Sequence, residues 1–301
     1  MSDIELNNKM NDNEKKEIII NDNNKNENDK NENDKTEKEK TVFKIEKKSI
    51  YTLICLGVII FILIIIISTI VASSGKIIIN PIYNNSDFVI ITEEIPEILT
   101  ELRYYTSYNF IGKKINGYEE PVAIIKKEVI KYLKNVSDYF KNDGYLIKIW
   151  DSYRPQKAVD QFYDWLKNTS DTTMEDYFYP NIPKSKLNNT YISKFSDHSK
   201  GYSIDLTLVN LTTGKEIDFG TGYDFFDEMS KIDYYDDSDD SDDNENNDKN
   251  TMRQYLKKMM EDNNFENDHK EWYHYTFKYK GDKIYYNFTV NATKVKNKIY
   301  D

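Results

Sequence analysis

The stretch Ser196-Asp197-His198-Ser199-Lys200-Gly201-Tyr202-Ser203-Ile204-Asp205-Leu206-Thr207-Leu208 puts a histidine in a polar turn and then an aspartate between two apolar neighbours. Residues 201–208 have the pattern of a strand that carries a polar side chain toward a site. A carboxylate flanked by Ile204 and Leu206 is costly to bury unless it is paired or bound to a metal. A histidine in a turn is, taken alone, more often a surface or satisfied core residue than a ligand. The segment Glu271-Trp272-Tyr273-His274 supplies another of the chain's 3 histidines. Two imidazoles and a carboxylate form a common catalytic zinc set, because Zn²⁺ accepts nitrogen and oxygen donors and leaves a fourth position for water. A neighbouring glutamate that is not a ligand can take the proton of that water, and Glu271 fits that role. Cys55 is the only cysteine and lies in an apolar run, so disulfides and thiolate ligands are excluded from the folded domain.

Outward from this stretch, helices and strands mix without a regular βαβ rhythm, which predicts the α+β class. Residues 145–150 suit a strand with Lys148 interrupting apolar neighbours. Asp151-Ser152-Tyr153-Arg154-Pro155 suits a loop, followed by a helix over 156–166. Arg154 in that loop is equally readable as a solvated cation, an ion-pair partner or a site residue, and Ser196 and Asp224 as turn or capping residues. Val122, Ile125, Val129, Tyr132, Leu133, Val136 and Phe140 fall at helical spacing and predict an amphipathic helix over 122–140. A weak edge strand is predicted over 88–91, a third helix over 251–263 and an aromatic-rich strand over 271–279.

Of the formal net charge of −11, much comes from residues 233–248, which carry nine Asp or Glu and no Lys or Arg. This aperiodic, self-repelling run predicts a disordered insert over 232–250, and the acidity carries no inference about substrate. No nucleic-acid partner is expected. Residues 1–48 are rich in Asn, Asp, Glu and Lys and too poor in apolar side chains to fold, so they are expected to be a disordered tail. Residues 49–75 contain no charged side chain and are long enough to span a bilayer, which predicts a membrane anchor followed by a linker over 76–86. Lys35, Lys38, Lys40, Lys44, Lys47 and Lys48 precede the span, whereas Lys76 stands alone after it. This asymmetry predicts a cytosolic N-terminus and a lumenal or extracellular domain over 87–301, a type II arrangement. Seven N-x-S/T triplets, at Asn84, Asn135, Asn168, Asn188, Asn210, Asn287 and Asn291, all follow the span, as expected for a glycoprotein, although an Asn-rich chain also yields such triplets by chance.

The spacing His198-x6-Asp205 with a later Glu271-x-x-His274 resembles the zinc signature of VanX-type D-alanyl-D-alanine dipeptidases and related D,D-carboxypeptidases. Further segments are similar in the same order: Arg103-Tyr104-Tyr105-Thr106, Asn109-Phe110-x-Gly112, Trp150-Asp151-Ser152-Tyr153-Arg154-Pro155, Tyr179-Pro180-Asn181-Ile182, Ser203-Ile204-Asp205-Leu206-Thr207-Leu208 and Phe225-Phe226-Asp227-Glu228. The resemblance implies a single zinc peptidase domain with an antiparallel-type sheet flanked by helices. It implies that His198, Asp205 and His274 bind one Zn²⁺, that Glu271 is the general base, and that Arg154 stabilises the oxyanion. Ser196 and Asp224 match positions that hold the substrate's ammonium, and Tyr104 matches a residue lining that pocket. The expected activity is hydrolysis of D-alanyl-D-alanine or a similar small dipeptide, which would suit breakdown of peptidoglycan fragments. A carboxypeptidase acting on longer wall peptides and a membrane-tethered binding module are the rivals; an ammonium clamp argues against the first and an intact Glu271 against the second. The chain departs from the family at Met229-Ser230-Lys231, where an Arg-Ser-His run is common, and His269 has no counterpart and is expected to be exposed.

Overall fold

The computed structural model describes residues 49–66, 78–80, 87–235, 244–281 and 284–297. Two compact units are present, Met1–Gly75 and Lys76–Asp301. In the first, helix α1 (Ser49–Ile66) is long and apolar enough to cross a membrane. The expectations for residues 1–48, for the end of the span at 67–75, for the Asn84 triplet and for the middle of the acidic insert at 236–243 lie outside the described residues.

The second unit runs β1 (Ile78–Asn80), β2 (Phe88–Ile90), α2 (Ile91–Glu94), β3 (Leu99–Thr100), β4 (Ile124–Lys126), α3 (Ile130–Asn142), β5 (Tyr145–Asp151), α4 (Gln156–Lys167), α5 (Glu175–Phe178), β6 (Ser203–Asn210), α6 (Asn244–Glu261), β7 (Phe265–Asn267), β8 (His274–Phe277), β9 (Ile284–Tyr286) and α7 (Ala292–Asn297). The main sheet has the order β3-β5-β6-β8-β7. Its pairs are antiparallel except β3 with β5, so the expected antiparallel-type sheet carries one parallel edge pair. The class is mixed α+β, with helices flanking the sheets.

Strand β6 is the centre of the domain, buried along its length except at Asn210. Period-two alternation sends Ile204, Leu206 and Leu208 to one face and Ser203, Asp205 and Thr207 to the other. Each of the three aliphatic side chains contributes about 1.5–3 kcal/mol by leaving water. The helices dock by their apolar stripes: Leu133, Val136 and Phe140 of α3, and Ala158, Val159, Phe162 and Trp165 of α4, are all buried.

Several elements differ from their predicted bounds. The helix expected over 122–140 begins only at Ile130, because the β-branched pair Ile124-Ile125 is drawn into strand pairing with β2, and a 3₁₀ turn, Lys127–Val129, joins the two. β2 accordingly pairs in a separate two-stranded sheet and is not an edge of the main one. Residues 78–80 of the expected linker pair in parallel with β9. The disordered insert expected over 232–250 is corrected at both ends: Ile232 and Tyr235 are buried, and α6 starts at Asn244. Packing of Ile232 into the apolar core and of the Tyr235 ring against the Arg253 guanidinium overrides the local charge repulsion that the acidic composition implied. The strand expected over 271–279 is confined to His274–Phe277 because the preceding residues form a turn, held by Asn267 Nδ2, which donates to the carbonyls of Glu271 at 3.1 Å and His274 at 3.0 Å.

Candidate active site

The register of the sheet sets Asp151, Asp205 and His274 in one row across three adjacent strands: Asp205 of β6 lies opposite Asp151 of β5 on one side and His274 of β8 on the other. A register shift between Ile149 and Asp151 brings the end of β5 into this row. His198 enters from the 3₁₀ turn Asp197–Lys200, whose first residue is capped by Ser196 Oγ accepting from His198 N at 3.3 Å. The turn ends at Gly201 with φ of 81°, where a β-carbon would also run into the Phe88 ring. Both the chain reversal and the close approach of β2 therefore require glycine.

His198 Nδ1 lies 2.6 Å from the carbonyl oxygen of Ser152, which can only accept, so the ring's proton is on Nδ1 and the Nε2 lone pair faces the cleft. His274 engages Thr276 Oγ1 through Nε2 at 3.2 Å, and Thr276 in turn meets Ser203 Oγ at 2.7 Å. His274 Nδ1 thus turns inward, 3.0 Å from His198 Nε2 and 2.9 Å from Asp205 Oδ1, while His198 Nε2 is 3.2 Å from Asp205 Oδ2. A tetrahedral zinc with bonds of about 2.0–2.1 Å spaces its donors about 3.3 Å apart. Two imidazole lone pairs and a carboxylate converging at this separation fit a small divalent cation, and the outer nitrogens are already fixed by neighbouring oxygens. Burial opposes charge on His274, yet the hydrogen bond and charge of Asp205 raise its pKa to about 9. Burial likewise works to raise Asp205, and the two histidines overcome it and hold the carboxyl well below the usual range.

Around this cluster lies a cavity of about 270 Å³ lined by all eight site residues expected from the sequence: Tyr104, Arg154, Ser196, His198, Asp205, Asp224, Glu271 and His274. Burial pushes the Glu271 carboxyl up to about 7, against the pull of His274, and its Oε1 accepts from Tyr273 Oη at 2.8 Å. Asp224 adopts φ of 55° and accepts from Tyr104 Oη at 2.9 Å. Burial, opposed by Arg154, holds its carboxyl well above the ordinary value. The Arg154 guanidinium sits 4.8 Å from the Tyr104 ring centroid and donates to Asp151 at 2.8 Å and Asp205 at 3.3 Å. Five acidic side chains, Asp197, Asp205, Asp224, Asp268 and Glu271, face the cavity, and Arg154 is the one lysine or arginine in its lining. His269, in contrast, is exposed and lies apart from the cavity lining.

Sequence reasoning placed Asp151 in a loop, whereas it ends β5 fully buried, accepting from Tyr118 Oη at 2.7 Å as well as from Arg154. Tyr223, which donates to Asp205 at 3.0 Å, and the Ser203–Thr276 pair behind His274 were also missed. The only local signal was an aspartate directly after the apolar run ending at Trp150.

Residues 84–294 match the peptidase M15 family model described as D-ala-D-ala dipeptidase. A D-alanyl-D-alanine dipeptidase of Enterococcus faecalis is 33% identical over 189 residues, 62% of this chain and 90% of the relative. One from Streptomyces coelicolor is 32% identical over 193 residues, 64% of this chain and 92% of the relative. Among solved structures, VanYB in complex with D-alanine-D-alanine is 12% identical with a TM-score of 0.31, covering 61% of this chain and 80% of that one, a likeness too slight to build on.

Proposed function

This chain belongs to the D-ala-D-ala dipeptidase family of M15 peptidases and is a metallopeptidase of dipeptidase type, and from that premise we propose that it hydrolyses D-alanyl-D-alanine at the His198/Asp205/His274 cleft with Glu271 as general base. The observation that carries the reading is the convergence of three inward-facing donors, a half-buried glutamate and a half-buried arginine on one cavity of about 270 Å³. That volume lies at or below the lower end of ordinary ligand clefts, which supports a very small substrate over an extended wall peptide.

In this reading His198, Asp205 and His274 hold one zinc ion, which when bound supplies Lewis acidity toward water and the scissile carbonyl. Glu271, held near neutrality by burial, takes the proton of the attacking water and returns it to the leaving amine. Arg154, fixed by Asp151, faces the oxygen on which negative charge develops. Asp224 and Ser196 bind the substrate's ammonium, with Tyr104 orienting the Asp224 carboxylate. An ammonium partner one residue from the scissile bond excludes substrates extended at the N-terminus, as wall peptides are, and so favours the dipeptide.

The apolar helix α1 and the lysines before it support a type II membrane protein with residues 49–75 as anchor and the peptidase domain lumenal or extracellular. Asn135, Asn168 and Asn188 are exposed and would be open to glycans there.

The test is release of free D-alanine from D-Ala-D-Ala by the detergent-solubilised full chain, with zinc, with chelator, and with Glu271→Ala. Zinc-dependent turnover lost in the variant is the expected result. A folded, zinc-loaded chain that releases no D-alanine would overturn the substrate assignment.

A further inference from the structure

Arg253 of α6 is completely buried, yet among the described residues no carboxylate pairs with it. All three of its hydrogen bonds go to main-chain carbonyls: Nε to Phe219 at 2.8 Å, Nη1 to Lys231 at 2.5 Å and Nη2 to Met229 at 2.9 Å. A guanidinium taken out of water without a counter-charge is expensive, and its planar fork of five fixed donors is well shaped to hold carbonyls from two chain segments at once. The burial lowers its pKa to about 10, which leaves it charged.

The three carbonyls are not scattered. Phe219 precedes, and Met229 and Lys231 follow, the segment 220–228, so Arg253 closes the neck of a loop. That loop carries Tyr223, bonded to Asp205, and Asp224, bonded to Tyr104. Asp224 sits in the left-handed region, which a non-glycine residue holds only when its surroundings over-determine the backbone. The same neck grips the turn that bears Glu271. Ser230, between the two clasped carbonyls, accepts from Trp272 N at 2.9 Å; Trp272 Nε1 donates to Thr221 Oγ1 at 2.8 Å; and the Phe219 ring stacks on Trp272 at 4.2 Å. Two sides of the cavity, one with Asp224 and one with Glu271, therefore share a single frame.

We infer that Arg253 is a positioning residue: it clasps the neck of the 220–228 loop and so sets the Asp224 carboxylate, and the turn of Glu271, to the substrate cleft. This rests on the proposed role of Asp224 as the ammonium partner, but the clasp itself can be read without turnover.

The experiment compares full-length wild type, Arg253→Met and Arg253→Lys in detergent by two readouts. Kinetics with D-Ala-D-Ala should show KM raised about tenfold or more in Arg253→Met with a smaller fall in kcat, because the ammonium site is loosened more than the reacting centre. Amide hydrogen exchange should show faster exchange at 220–226 in the variant, while the sheet strands β5 and β6 keep their protection. A fold-only role would leave KM unchanged and reduce kcat in proportion to the folded fraction. Arg253→Met that is folded, with wild-type KM and unchanged exchange at 220–226, overturns the inference. Should Arg253→Met not fold, Arg253→Lys, which keeps the charge but has no fork to span two segments, decides by the same two readouts. If the wild type does not cleave the dipeptide, the functional reading fails on its own, and the exchange result still decides the clasp.

Discussion

Replacing Asp151 by Asn tests whether the arginine in the cleft acts only because a buried carboxylate holds it. Asp151 is fully buried and spends one oxygen on Arg154 Nε at 2.8 Å and the other on Tyr118 Oη at 2.7 Å. Asparagine keeps the shape but loses the charge, and only one of its two ends can still accept. A hydrogen bond to a charged partner contributes about 1.5–3 kcal/mol. If losing it frees Arg154 to the same extent, kcat for D-Ala-D-Ala should fall roughly 10- to 150-fold at about 1.4 kcal/mol per decade, with KM nearly unchanged. The ceiling is the loss of an oxyanion donor outright, about 100- to 1,000-fold. The assay is steady-state D-alanine release by wild type, Asp151→Asn, Arg154→Ala and the double variant, with metal content and melting temperature as controls. Since Asp151 is argued to act through Arg154, its substitution should add no more than about twofold once Arg154 is gone. Either a single variant within about threefold of wild type or full additivity in the double would falsify the reasoning.

Asp224→Asn should raise KM about 30-fold or more while changing kcat less, because a buried ammonium loses its counter-charge; an N-acetylated dipeptide, measured in competition, should no longer be discriminated against. Chelator treatment should abolish turnover and lower the melting temperature, since three donors within 4.8 Å of one another would lose their shared cation. A ligand present at about 100 times its Kd contributes about 2.7 kcal/mol, so scanning calorimetry should register a drop of about 5–10 °C that zinc reverses. Leu206→Ala, at a fully buried position in the middle of β6, should destabilise the domain by about 2–5 kcal/mol, read as a shift of the urea midpoint at constant slope.

The candidate site was largely legible in the sequence and the fold only partly, for one physical reason. A buried carboxylate between Ile204 and Leu206 conflicts with local composition, and such conflicts mark places where a partner must exist. His198, Asp205 and His274 could therefore be proposed together before any geometry was known. Element bounds had no such conflict to reveal them. The periodicity over 122–140 fitted a helix, yet Ile124 and Ile125 are taken by β2, a partner more than thirty residues away that helical spacing does not encode. The acidic run hid the start of α6 because composition reports solvation, whereas Ile232 and Tyr235 are fixed by what packs on them.

Asp151 and Arg253 show what kind of residue escapes this reasoning. Asp151 looked like a loop residue because its value lies in a register: only when β5 and β6 pair does it come opposite Asp205 and beside Arg154. Arg253 fell within the helix predicted over 251–263 with nothing to single it out, because its three partners are carbonyls, which every residue has and no side-chain pattern distinguishes. A residue in conflict with its neighbours, as Asp205 is, is visible in one dimension, whereas the contacts of Asp151 and Arg253 depend on strand alignment and main-chain carbonyls. It follows that substitutions at Asp151 and Arg253 should alter kinetics while leaving the three candidate metal donors intact, whereas substitutions at His198, Asp205 or His274 should alter metal content first.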